Sequence, residues 1–229
     1  MTEPEKINCL ISDTSDVTLV VTACNRPDLL LRTLDTFFEF NTYPLKKVII
    51  TEDSGIPNVN GTIKKKYPNF TYVDGEKNVG QIKSIDRAYA LVDTSYIFHL
   101  EDDWETYKSN FIELSRDILI RNPRVSAVMC ISHGLKYDLD KEKPPFLLSG
   151  KPMWGFYSFN PGLRRLSDYK RVFQGEFSKF AVFNRKKPNE SEMAINRRFK
   201  KKKFRMAILP DPEGYIRHIG DGRHVIASK

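Results

Sequence analysis

No apolar run in the 229 residues approaches the roughly 20 consecutive residues that cross a bilayer, so no membrane-spanning helix is expected. Cysteine is scarce. Cys9, Cys24 and Cys130 are widely spaced, odd in number and without a CxxC pair, which argues against a disulfide framework or a zinc site and predicts free, partly buried thiols. The polar opening MTEPEKIN lacks the basic and apolar regions of a signal peptide, and the expected address is cytoplasmic. Internal repeats and low-complexity linkers are missing too, as are zinc-finger and RNP-like patterns. What the chain does have is 40% hydrophobic residues, enough for a sizeable core and in keeping with one domain over 1–229. Its net charge of +8 favours anionic partners: nucleotides, nucleic acid or an acidic membrane surface.

The element order is most regular in the first half. Residues 17–23, VTLVVTA, form a β-branched run, and CNRPDLLLRTLDTFFEF then shows helical apolar spacing behind a Pro27 suited to a first turn. KKVIITED at 46–53 repeats the strand pattern before SGIPNVNG breaks the chain. IKKKYP predicts a short exposed helix, FTYVDG a third strand, QIKSIDRAYALV a helix packing Ile82, Ile85 and Tyr89 inward, and SYIFHL a fourth strand. Such alternation predicts an α/β fold with a mainly parallel central sheet, flanking helices, and a ligand site beyond the carboxyl ends of the strands. Asn25, Asp53 and the acids Glu101, Asp102 and Asp103 of FHLEDDWETY fall at those ends. Beyond them, a helix around NFIELSRDILIRNP and a strand at RVSAVMCIS precede a stretch, 133–169, expected to be loop-rich. NESEMAINRRFKKKK then predicts a helix with a basic end, and FRMAIL a strand.

VTLVVTACNRPDLLLRTL, VIITEDSG and NVGQIKSIDRAYALVDTSYIFHLEDD together resemble the nucleotide-sugar-binding half of GT-A fold glycosyltransferases, in particular glycosyltransferase family 2. The family pattern is a strand ending in a Thr or Asn-Arg segment, a strand ending in Asp-x-Ser, an Asn-x-Gly helix start and an apolar strand ending in acids. All four pieces occur in order across 17–103, and ESEMAINRRFKKKKFRMAIL continues the likeness more faintly. The resemblance implies a Rossmann-like GT-A fold, with about 17–104 binding the nucleotide sugar and 105–229 serving the acceptor and tail. It further implies an inverting transfer from a nucleotide-diphosphate sugar to a hydroxyl of a glycan, lipid-linked or protein acceptor.

Neighbouring acids at a strand end suit a hard divalent cation, Mn²⁺ or Mg²⁺, that bridges them to a diphosphate; otherwise they make a solvated turn. In the related fold the last acid holds the ion, which singles out Asp103, with Glu101 and Asp102 directed to the ion, its waters or the donor. Asp53 is implied to meet the nucleobase, or else to close an Asx turn with Ser54. Thr22, Asn25 and Arg26 follow the first strand as donor contacts or as simple helix entry. Lys83 stands one helical turn beyond Asn78-Val79-Gly80, although Asp86 replaces an Asn common among the relatives. Aligning Arg198 and Phe204 with the family places Glu192 at the catalytic base, with Glu190 second; acids at a helix start also favour its dipole. Trp154 and Gly155 in WGFYSFNPGLRRL offer a sugar-binding wall or plain core, and HIGDGRH offers His218 and His224 as metal or diphosphate ligands. His99 alternates with its strand and reads as structural. RRFKKKKFR, 197–205, is a solvated helix face or a peripheral contact to an anionic membrane.

Two other classes compete. A sugar nucleotidylyltransferase uses a related sheet and metal, but TACNRPDLL lacks the glycine-rich triphosphate loop. A nonenzymatic nucleic-acid-binding module would draw on the positive charge, yet acids interleave with the basic residues and no specific nucleic-acid motif is present.

Overall fold

The computed structural model describes residues 10–132, 139–140, 146–149, 155–183 and 189–223. β1 (Val17–Ala23) is buried along all seven residues, as a β-branched strand covered on both faces should be. Pro27 opens α1 (Pro27–Phe40) at a position where its fixed φ is already helical, and Leu30, Leu34, Phe37 and Phe38 face the core. There follow β2 (Lys47–Glu52), α2 (Gly61–Lys66), β3 (Thr71–Asp74), α3 (Gln81–Tyr89) and β4 (Tyr96–Glu101). Ile82, Ile85 and Tyr89 are buried, as their spacing predicts.

The second half adds β5 (Trp104–Thr106), α4 (Phe111–Arg121), β6 (Val125–Met129), β7 (Leu139–Asp140) and β8 (Leu147–Ser149). It continues with β9 (Gly162–Arg165), α5 (Leu166–Phe173), a 3₁₀ turn at Phe177–Lys179, α6 (Glu190–Lys201), β10 (Arg205–Ile208) and β11 (Ile216–His218). A nine-stranded mixed sheet runs in the order β3-β2-β1-β4-β9-β6-β10-β8-β7. It is parallel from β3 to β4 and again between β6 and β10, with β9 inserted antiparallel. Thr22 of β1 lies opposite Thr51 of β2 and Glu101 of β4, so these three strands end level with one another.

Within the stretch expected to be loop-rich, β9 and α5 are regular elements. The departure has a physical reason. Two of the four residues of β9 are arginines, but Arg164 is buried and donates to the Tyr157 hydroxyl (3.0 Å) and the Asn160 carbonyl (2.9 Å). Gly162 is required where β9 crosses β6, since a Cβ there would enter the Val128 carbonyl.

An aromatic cluster ties the second half to α3. Tyr157 stacks on Phe199 with centroids 4.5 Å apart, and Phe177 touches Tyr89, Tyr157, Phe159, Tyr169 and Phe173. The run 197–205 is therefore only partly solvated: Phe199 and Phe204 are buried, and the Arg198 guanidinium lies 3.8 Å from the centre of the Phe180 ring. His99 is buried and bonded to the Tyr89 hydroxyl (3.1 Å). No helix among the described residues is long and apolar enough to cross a membrane. A small second sheet pairs β11 with β5, setting His218 opposite Trp104.

Candidate active site

The level ends of β1, β2 and β4 open into a cleft of about 870 Å³, lined among others by Thr22, Arg26, Asp53, Glu101, Asp102, Asp103 and His218. Asp102 is buried beneath it, held by the Arg26 guanidinium through Nε (3.1 Å) and Nη2 and by the Cys24 N–H (3.1 Å). Arg26 Nη1 reaches Asp103 Oδ2 at 2.7 Å. One guanidinium thus offsets the repulsion between two adjacent carboxylates. Thr33 of α1 secures the turn, donating to the Asp102 carbonyl (2.9 Å) and accepting from the Trp104 N–H (3.2 Å).

Glu101 has neutral partners instead, the Gln81 side-chain amide (2.5 Å) and the Trp104 indole N–H (3.1 Å). Burial, and then the nearby charges of Asp103 and Glu192, push its carboxyl up to about 8. Burial also raises Asp102, to about 7, with Arg26 pulling the other way.

His218 meets the cluster from the far end of the chain. Its Nε2 lies 3.2 Å from Asp103 Oδ2 and its Nδ1 3.0 Å from Asp221 Oδ1. An imidazolium donates to both carboxylates. A neutral ring that donates from Nδ1 to Asp221 turns its Nε2 lone pair toward Asp103, which creates an oxygen and nitrogen donor pair for a divalent cation. The backbone fits closely here: Ile219 N–H bonds the Asp103 carbonyl (2.8 Å), and a Cβ on Gly220 would stand 2.5 Å from Asp103 Oδ2. Among the described residues no group of three or more His, Cys, Asp and Glu could hold a metal ion, so such a cation would draw its remaining ligands from substrate and water.

Asp53 lines the cleft, and both its oxygens accept backbone N–H groups, from Val79 (3.0 Å) and Gly80 (2.8 Å). Burial raises its pKa against those two bonds. The carboxylate thereby shapes the loop that begins α3, where Gly80 takes a φ of 89° that a side chain would resist. The Ser54 N–H goes to Glu52 Oε1 (2.9 Å), which also accepts the Asn25 N–H (3.0 Å). Thr22 is buried at the cleft wall. Asn25 is exposed, and Lys83 is exposed with its ammonium over Phe183 (5.4 Å). Asp86 ties α3 to the following turn, accepting from the Tyr169 hydroxyl (2.8 Å) and the N–H groups of Phe177 (2.8 Å) and Ser178 (2.9 Å).

Glu190 and Glu192 occupy the first turn of α6, directly after the cleft-lining Asn189. Glu192 Oε1 accepts from Ser158 Oγ and from the Phe159 N–H, both at 2.9 Å. Gly155 is buried beside β10, its carbonyl bonded to Met206 N–H (3.0 Å). Trp154 and His224 lie outside the described residues. Cys24 borders the cleft with its thiol pushed up to about 11 by burial and the surrounding acids, so it is an inert wall. Gln81, Asn160, Asn189, Arg217 and Asp221 line the cleft without having been singled out by sequence; for Asp221, its place three residues after His218 is a local signal.

A family model described as Glycosyl transferase family 2 matches residues 18–191, from β1 into α6. No curated protein matches the chain in sequence. Among solved structures, S. aureus TarS 1–349 superposes with a TM-score of 0.66 at 12% identity, over 88% of this chain and 60% of that one. The same protein in complex with UDP-GlcNAc gives 0.66 at 13% identity, over 92% and 62%. A mannosyltransferase, PcManGT from Pyrobaculum calidifontis, in complex with GDP-Man and Mn²⁺, gives 0.62 at 15%, over 88% and 57%. The chain spans about 60% of the length of the TarS 1–349 chains, and at such identities the common property is the fold.

Proposed function

The chain belongs to glycosyl transferase family 2, and on that premise we propose that it moves a sugar from a nucleotide-diphosphate donor to a hydroxyl of a glycan or glycoconjugate, in a metal-dependent reaction with inversion. The observation that carries this reading is the convergence of Asp103 and His218 beside the Arg26–Asp102 ion pair at the mouth of the cleft. Complexes of similar folds with UDP-GlcNAc and with GDP-Man and Mn²⁺ support it.

In this reading the nucleotide lies along the ends of β1 and β2, with the diphosphate near the start of α3, where backbone N–H groups and the positive end of the helix favour anions. Asp53 keeps that start in shape through Val79 and Gly80. Asp103 and His218 would hold the cation. When bound, it would neutralise charge that develops on the departing diphosphate. Arg26 Nη1, 2.7 Å from Asp103 Oδ2, holds that carboxylate in place. Glu192 takes the proton of the acceptor hydroxyl, and its orientation is fixed by the Ser158 hydroxyl and the Phe159 N–H.

The test is Glu192→Gln, assayed by release of nucleoside diphosphate with a panel of glycan acceptors. Donor binding should survive while transfer falls by about two to four orders of magnitude, and Glu190→Gln should change little. Proton NMR of the product should show the opposite anomer to the donor. Normal transfer in Glu192→Gln, or a retained anomer, contradicts the assignment.

A further inference from the structure

The end of the molecule opposite the cleft carries a second feature. α6 starts next to the cleft-lining Asn189 and finishes in Lys200, Lys201, Lys202 and Lys203, all exposed. A helix C-terminus favours cations, but the effect fades within one turn and one or two suffice. Lys203 also has a φ of 62°, just past the end of the helix. That left-handed position normally goes to glycine, so a lysine there destabilises the fold. At Lys203, therefore, stability and surface charge can be separated by one substitution.

Other elements bring cations to the same place. Arg124, exposed just before β6, accepts the Arg205 N–H on its carbonyl (3.0 Å). Arg171 of α5 is exposed and lies 5.3 Å from the Phe204 ring centre. Nearby Asp168 is buried between Arg165 (3.1 Å) and Arg171 (2.7 Å), and Asp117 is paired with Arg121 (3.6 Å). Ile120, 51% exposed at the end of α4, stands shortly before Arg124 in the chain.

We propose that this surface docks on an anionic lipid bilayer and holds the cleft facing away from it. Exposed lysines on flexible stems suit anionic headgroups, and an exposed isoleucine suits shallow apolar insertion. A single-stranded nucleic acid would want aromatic platforms, whereas Phe199 and Phe204 at this end are buried. The far end of β6 leads into Ile131 and Ser132, which line the cleft. With twelve residues at 1.5 Å each, α6 separates the lysines from the cleft by about 18 Å. The acceptor hydroxyl would therefore be presented well above the headgroups.

Flotation of the whole chain with phosphatidylcholine vesicles, with and without phosphatidylglycerol, tests this. Binding should require phosphatidylglycerol and fall with added salt. K201Q/K202Q/K203Q should weaken it by about a hundredfold, from roughly fivefold per lysine, while K64Q/K65Q/K66Q on α2 should leave it within about twofold. Lys203→Gly is the decisive single change: it should raise the melting temperature and still weaken vesicle binding about fivefold. The proposal is overturned by phosphatidylglycerol-independent binding or none, by equal losses in the α2 variant, by unchanged binding in Lys203→Gly, or by tighter binding to single-stranded RNA at the same ionic strength.

Discussion

Asp102 and Asp103 can stand side by side because Arg26 reaches both carboxylates, whereas Glu101 relies on the neutral Gln81 and Trp104 side chains. The difference has a pH signature. The Glu101 carboxyl, raised from 4.5 to about 8 in the fold, binds its proton more tightly folded than unfolded. Its contribution to stability is therefore fully present below about 4.5 and is lost as pH rises toward 8. Glu101→Gln keeps the shape and removes the charge, so in EDTA its gain in melting temperature over wild type should grow from pH 5 to pH 8. A gain that is flat with pH would mean that the carboxylate is well solvated. The acids and Asp53 were legible in the sequence because each follows an apolar strand. His218 was offered as a metal ligand by the family resemblance, but its contact with Asp103, made by residues 115 apart, has no local signal, since it depends on β11 returning to β5. Nor did spacing reveal that Lys83 turns toward Phe183.

The first four strands and their helices could be read from periodicity, because each is long enough to show a pattern of two or of 3.6 residues. β5 and β11 have three residues each and show none. β9 is concealed differently: Arg164 and Arg165 look solvated, yet one is buried against Tyr157 and the other donates to the Val125 carbonyl (2.7 Å). The same misdirection affects Arg198, whose Nε bonds the Val172 carbonyl (2.8 Å). β9 joins the two parallel parts of the sheet, and Gly162 permits that crossing. Gly162→Ala forces a methyl group against main chain, a clash that flexible side chains cannot relieve, and should cost about 3 kcal/mol. Urea unfolding measures it; a loss below about 1 kcal/mol would show that β9 can shift without harm.

Taken whole, the molecule sorts its charge by end. A net +8 spread through the sequence says little, but α6 carries Glu190 and Glu192 toward the cleft and its lysines toward the opposite surface. The acids gather where the strands end, and the Arg26 guanidinium and the His218 ring meet them there. Nucleotide binding that depends on a divalent ion and on Asp103 is the central consequence. Isothermal titration of UDP and GDP into wild type and Asp103→Asn, each with Mn²⁺ or with EDTA, reads it directly. For at least one nucleotide, Mn²⁺ should strengthen binding to wild type by about tenfold or more, and Asp103→Asn should lose that gain while unfolding at the wild-type temperature. Affinity that is indifferent to Mn²⁺, or a gain preserved in Asp103→Asn, would contradict the account.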